Sequence, residues 1–258
     1  MNANPTFTIR KPRLQFPAVA GIIERRILVN YRCRPDALQN ILPAPFRPKL
    51  VNGSGMAGIC LIRLGAIRPA FLPAFGGFTS ENAAHRIAVE WDEHRATREG
   101  VFIPRRDTNA LFNRLAGGRI FPGVHHAATF RVLETDNRFK LEMRSNDHET
   151  FVRVHGHVTD SLPANSIFQS LAEASEFFRR GSLGWSARPE ENTFDGLELS
   201  SQKWLMEPLA IDRIASSFFE NPQLFPTGSA TFDSAFLMRD IPHQWHARGK
   251  LAVEHVDS

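Results

Sequence analysis

Only two cysteines, Cys33 and Cys60, occur in 258 residues, and neither falls in a metal-ligand spacing. A disulfide framework of the kind that staples small secreted domains is therefore excluded, and a reduced, cytoplasmic setting is expected. No apolar run approaches the roughly 20 residues that a helix needs to cross a bilayer. Arg10, Lys11 and Arg13 precede an apolar stretch, Phe16 to Ile23, that is short and broken by Pro17 and Gly21, so no signal peptide is expected. The isoelectric point near 9.5 accompanies a net charge of only +4, and the basic residues are scattered. Neither nucleic acid nor a membrane is an expected partner. A Gly-x-Ser-x-Gly elbow, a Walker loop and a dinucleotide fingerprint are all missing; Gly181-Ser182-Leu183-Gly184 lacks the strand-before-helix context such a loop needs. Tyrosine occurs once against twenty-one phenylalanines, which points to a deep apolar interior.

What is present has the balance of an ordinary globular chain, 42% hydrophobic and 22% charged. Apolar runs predict strands at Ile27–Tyr31, Gly58–Leu64 and Gly100–Ile103, the last closed by Pro104. His85–Trp91 alternates, with Ile87, Val89 and Trp91 on one face and Arg86, Ala88 and Glu90 on the other. Further strands are predicted at Ala128–Leu133, Phe139–Arg144 and Phe151–Val158, whose polar turns suggest an antiparallel meander. Gly196–Leu199, Gln202–Met206 and Ser229–Phe236 complete the set.

Helices are predicted at Pro35–Leu42, stopped by Pro43; at Thr108–Ala116, capped by Asp107 and ended by Gly117-Gly118; and at Ser166–Arg180, ended by Gly181. Ile211–Phe219 also reads as helical, stopped by Asn221-Pro222. A loop is expected from Arg68 to Phe78. With no long polar linker and no repeat, residues 1–258 read as one antiparallel, barrel-like domain.

Four segments in order carry a resemblance. They are Tyr31-Arg32-Cys33-Arg34-Pro35-Asp36-Ala37-Leu38 with Leu42-Pro43; Gly77-Phe78-Thr79-Ser80-Glu81 with Ile87-Ala88-Val89; Gly100 to Ile103 with the Asp107 helix; and Phe121-Pro122. Across roughly residues 25 to 133 the chain resembles the acetoacetate decarboxylase-like superfamily, and it looks closest to the bacterial YqjF-like branch. The resemblance implies a β-rich α+β fold, an antiparallel cone-like β-barrel with a ligand cavity and a few short helices packed around it, and it makes a homo-oligomer plausible. In that family a Phe-Pro-Lys-Lys turn supplies a Schiff-base lysine. Here the turn reads Phe121-Pro122-Gly123-Val124, so imine-forming decarboxylation is not expected. The family's arginine before the first strand falls near Glu24, and its carboxylate of the Thr-Glu segment survives as Glu81, shifted by one.

The candidate site follows from these residues. His125-His126 stand directly after the turn, and only one of two adjacent strand residues faces a cavity. An imidazole titrating near neutral pH suits proton transfer. Arg86 offers a planar fork for a substrate carboxylate, and Arg105 at the head of the expected helix offers a second anion contact. Glu81 and Glu90 are the carboxylates placed to act as acid or base. The bland alternatives are a surface and a core histidine, and an Arg86/Glu90 face turned to solvent. Arg153, His155 and His157 share a strand face, and a metal would need a third ligand from His125, His126, Glu142 or His148. Lys203 is a remote substitute for the lost nucleophile. The expected function is binding of a small carboxylate in the barrel, with no cofactor and no metal, and imine-independent acid/base chemistry on a keto acid. A non-catalytic ligand-binding or sensory module and a metal-dependent lyase or oxygenase are the alternatives.

Overall fold

A computed structural model describes residues 6–10, 18–73, 78–93, 96–110, 123–188 and 193–254. In chain order these form β1 (Thr6–Arg10), β2 (Val19–Cys33), α1 (Pro35–Ile41), β3 (Arg47–Pro48), β4 (Leu50–Val51), β5 (Ser54–Pro69), β6 (Phe78–Glu93) and β7 (Ala96–Thr108). There follow β8 (His125–Glu134), β9 (Arg138–Ser145), β10 (Phe151–Val158), α2 (Leu171–Arg180), β11 (Leu183–Arg188), β12 (Thr193–Ser200), β13 (Glu207–Ser216) and β14 (Ala230–Glu254). The chain is thus mostly β. Among the described residues no helix is long and apolar enough to cross a membrane.

All fourteen strands join one sheet. β14, β2, β5, β6 and β7 make a common antiparallel wall, and pairing returns from β7 to β14 by two routes. One runs through β11 and β12, the other through β8, β9, β10 and β13. The expected meander is present as β8–β9–β10. The expectation of purely antiparallel pairing is corrected at β7, which pairs in parallel with both β8 and β11.

The wall has two inner faces. Ile27, Val29, Ile59, Leu61, Ile87, Val89 and Trp91 belong to one apolar cluster, which β9, β10 and β13 complete with Leu141, Met143, Val152, Val154 and Leu209. Leu28, Cys60 and Ala88 point the opposite way, into a cluster completed by Phe168, Ala174 and Phe178 of the α2 region and by Phe236 and Met238 of β14. Strand alternation produces the split, because successive side chains leave opposite faces.

Several local expectations change. Asp107 is not a helix cap; it lies in β7 with its carboxylate fully buried against Arg105 at 3.0 Å. Thr108, expected as the first helical residue, ends the strand, and its hydroxyl donates to Asn82 Oδ1 at 2.7 Å. Asn109 and Ala110 are not helical, while 111–116 of that expected helix, and Phe121-Pro122, lie outside the described residues, as does Gly77 of the resemblance. Ile211–Phe219 is not helical: 207–216 is strand, held by β10 across a bulge at His155/Gly156, so tertiary pairing overrides the helical spacing. Gln202–Met206 is not a strand. The expected Arg68–Phe78 loop is trimmed at both ends by β5 and β6.

The helix expected from Ser166 starts at Leu171. Ser166 is drawn away because its hydroxyl donates to Asp233 at 2.9 Å, and Ser170 takes the cap by accepting from the Glu173 amide at 3.1 Å.

Candidate functional site

On the α2 side of the wall, strand register sets out a grid of side chains. One row reads Arg26, Ile62, Asn82, Thr108 across β2, β5, β6 and β7. The next reads Leu28, Cys60, Ala84, Arg106 and, on β8, His125. The third reads Asn30, Gly58, Arg86. The centre of the grid carries small residues, Cys60, Ala84 and Gly58, so space is left there. Leu197 and Leu199 of β12, Trp245 of β14, and Gly181, Ser182 and Gly184 face it from the other side. The result is a cavity of about 130 Å³, similar in size to cavities that admit one benzene-sized molecule.

Three arginines enter this space, and each is held by neutral groups. Arg86, 7% exposed, donates from Nη2 to Asn30 Oδ1 at 2.7 Å and lies over the Phe178 ring at 5.0 Å. Arg106 donates from Nε and Nη2 to Ser186 Oγ, both at 3.2 Å. Arg26 donates from Nε to Cys60 Sγ at 3.4 Å and lies over the Trp204 ring at 5.6 Å. Among the described residues no carboxylate is within ion-pair distance of any of the three. The one carboxylate among the lining residues, Asp107, is engaged by Arg105. Burial pulls Arg86 and Arg106 down to about 10, so both remain cationic at neutral pH.

Of the residues singled out from sequence, Arg86 and His125 line this cavity and the others do not. His126 faces away, with Nδ1 2.9 Å from Asp147. Glu81 lies on the opposite face of β6, where it accepts from Arg25 at 2.5 Å and from Arg63 at 2.7 Å. Glu134 joins both arginines, closing a four-membered ion network. Glu90, a third exposed, sits beyond the cavity beside Arg47 at 3.6 Å. Arg105 is engaged by three carboxylates, Asp107 at 3.0 Å, Asp147 at 2.7 Å and Glu149 at 2.9 Å. Sequence reasoning missed Arg26 and Cys60, and of the pair Arg105-Arg106 it took Arg105 for the site where Arg106 lines the cavity. The signal was available in the dipeptides Arg25-Arg26 and Arg105-Arg106, since a strand must send one member of each to either face.

His155 and His157 run along β10 beside Lys140, Arg138 and Arg213, and His157 meets Asp212 at 3.2 Å. Among the described residues no three His, Cys, Asp or Glu side chains converge as a metal site. Lys203 is outside the cavity, with Nζ 3.3 Å from the Asp240 carbonyl. Of the thiols, burial pushes Cys33 up to about 12, which suits a structural residue.

The turn that carries the expected nucleophile position is built for something else. Gly123 has φ +87°, in the left-handed region, and a Cβ there would come within 2.7 Å of Ser186 Cβ. Val124 is 62% exposed. A lysine at the first place would strain the backbone and displace the serine that holds Arg106. At the second place the side chain leaves toward solvent.

No protein-family model and no curated protein matches the chain. Among solved structures, acetoacetate decarboxylase from Legionella pneumophila matches over 99% of this chain and 94% of that one, with TM-score 0.59 and 13% identity. The enduracididine biosynthesis enzyme MppR complexed with pyruvate matches over 94% of this chain and 91% of that one, with TM-score 0.55 and 12% identity. An acetoacetate decarboxylase-like enzyme from Sphingomonas wittichii matches over 93% and 94%, with TM-score 0.55 and 14% identity. The chain has the acetoacetate decarboxylase-like fold.

Proposed function

We propose that the chain is a single cytoplasmic domain, a cone-like β-barrel of acetoacetate decarboxylase-like type, whose cavity binds a small organic acid. The observation that carries this reading is the trio Arg26, Arg86 and Arg106, the second buried and the other two half-buried around one small space, with no carboxylate partner among the described residues. Desolvated cations are unfavourable unless something anionic compensates them. A bound carboxylate supplies that compensation, and Arg86 and Arg106 offer planar forks that match its geometry. The pyruvate held by MppR, a protein of the same fold, suits a ligand of this size.

If the bound acid turns over, the chemistry is imine-independent. His125 beside Arg106 is the group to accept a proton from carbon next to a keto group, while the arginines stabilise the negative charge that develops on oxygen. The alternative is a binding or sensory module with the same cavity and no turnover.

Calorimetry with pyruvate and related keto acids tests binding, and loss of the C3 proton NMR signal (the methyl group of pyruvate) in heavy water tests proton transfer. Arg86→Ala is expected to weaken binding roughly tenfold or more, the equivalent of one charged hydrogen-bonded contact. His125→Gln is expected to keep binding and abolish exchange. Unchanged affinity in the Arg86 variant removes that residue from the site. Binding without exchange in the unaltered protein favours the sensory reading.

A further inference from the structure

The three cavity arginines are not equivalent in position. Adjacent strands lie about 4.8 Å apart and alternate residues about 6.7 Å apart along a strand, so each arginine root is about 8–10 Å from Cys60 at the centre of the grid. Arg86 and Arg106 stand on neighbouring strands, one row apart, and can share one anionic group. Arg26 enters from β2, on the far side of Cys60 and Ala84 and two rows from Arg86. A monocarboxylate between Arg86 and Arg106 leaves Arg26 among the Cys60 sulfur, the Met238 sulfur at 4.0 Å and the Trp204 ring, with no negative charge beside it among the described residues. Those contacts orient the guanidinium without neutralising it. A half-buried guanidinium with no counter-charge gains from an anionic partner.

Building on the acid-binding reading above, we infer that the occupant is a short dicarboxylate, one carboxylate held by Arg86 and Arg106 and the other by Arg26, with the carbon chain lying over Cys60 and Ala84. The small floor leaves room for the chain, and the apolar Leu197 and Leu199 opposite suit its methylenes. His125, in the row of Arg106, adjoins the first carboxylate and whatever group lies next to it. The size of the cavity sets the limit at a short chain rather than a large polyacid.

Calorimetry on the full chain with 2-oxoglutarate and 2-oxopentanoate tests this directly. The two have the same length and differ only in the terminal carboxylate. The dicarboxylate is expected to bind roughly tenfold tighter or more, the worth of one added charged contact. Arg26→Met is expected to erase most of that advantage, so that the variant binds the two acids within about twofold of each other. Equal affinity for the two acids in the unaltered protein overturns the dicarboxylate inference and leaves acid binding standing. Binding of neither overturns acid binding itself. Inorganic phosphate forms a third arm, and tighter binding of phosphate than of either acid overturns the carboxylate assignment. The matched pair of ligands decides without any variant, so misfolding of Arg26→Met does not blunt the test.

Discussion

The two faces of the β2–β7 wall carry the same residue types and treat them oppositely. Arg25 and Arg105 are met by carboxylates, while their neighbours Arg26 and Arg106 are met by a thiol and a hydroxyl. His126 pairs with Asp147, while His125 lines the cavity. On one face the charges are matched from within the chain, as a structural ion network requires. On the other the arginines are oriented by neutral groups and, among the described residues, have no counter-charge, which is the arrangement a binding site needs and a scaffold does not. The difference separates structural arginines from ligand-binding ones more sharply than burial does, since Arg25 at 2% exposure is at least as buried as Arg86 at 7%.

Substitutions on the two faces should therefore have opposite signs. The largest effect is expected for Glu81→Ala, which removes the shared partner of buried Arg25 and of Arg63. A loss of about 3–5 kcal/mol in urea unfolding is expected. A loss below about 1 kcal/mol would mean that Glu134 alone can hold both arginines.

His85 is the exception on the matched face, and it sharpens the comparison. It is fully buried, 4.6 Å from the Phe218 ring, with no hydrogen-bond partner for either nitrogen among the described residues. Burial first, then Arg105, depresses it to about 3. The unfolded chain takes up this proton below about 6.5 and the folded chain does not. The contribution is therefore fully present above pH 6.5 and is lost as pH falls toward 3, at about 1.4 kcal/mol per pH unit. Unfolding measured from pH 6.5 to 5 should show this slope, about 2 kcal/mol over the window, and His85→Leu should flatten it by one proton. An unchanged slope in the variant would show that His85 gains access to solvent or to an acidic partner.

The smallest effect, and the one with reversed sign, is expected for Arg86→Met. Loss of a desolvated, uncompensated guanidinium should stabilise the empty protein by about 1–2 kcal/mol in thermal unfolding, even as ligand binding falls. Destabilisation instead would mean that the contacts to Asn30 and Phe178 outweigh the burial of charge, and the two faces would then differ less than their partners suggest.

Much of the fold was legible from sequence because local alternation survives packing. Ile87, Val89 and Trp91 are core, and Arg86 and Ala88 face the other way, as the period-two pattern requires. The site was legible only in part. Arg86 and one of the two histidines could be singled out, but Arg105 was taken where Arg106 is the cavity residue, an offset of one position that moves a side chain to the opposite face. Glu81 was read as acid or base from its place in the resemblance, and nothing local announced that Arg25 and Arg63 stand beside it on neighbouring strands. β14 was foreseen only over its first residues, because Pro242, Gly249 and the charged residues between them conceal a strand of 25 residues that pairing with β2 and β12 sustains.

Alternation along each strand was set by local covalent geometry, so the separation of Arg25 from Arg26, Arg105 from Arg106 and His125 from His126 follows from the order of residues alone. Which member of each pair meets the cavity is a different matter. It depends on registers between residues dozens of positions apart, and on the bulges at Ile23/Arg25 and His85/Ile87 that shift them. Those registers exist only once the sheet has formed and its two faces have been covered by different parts of the chain.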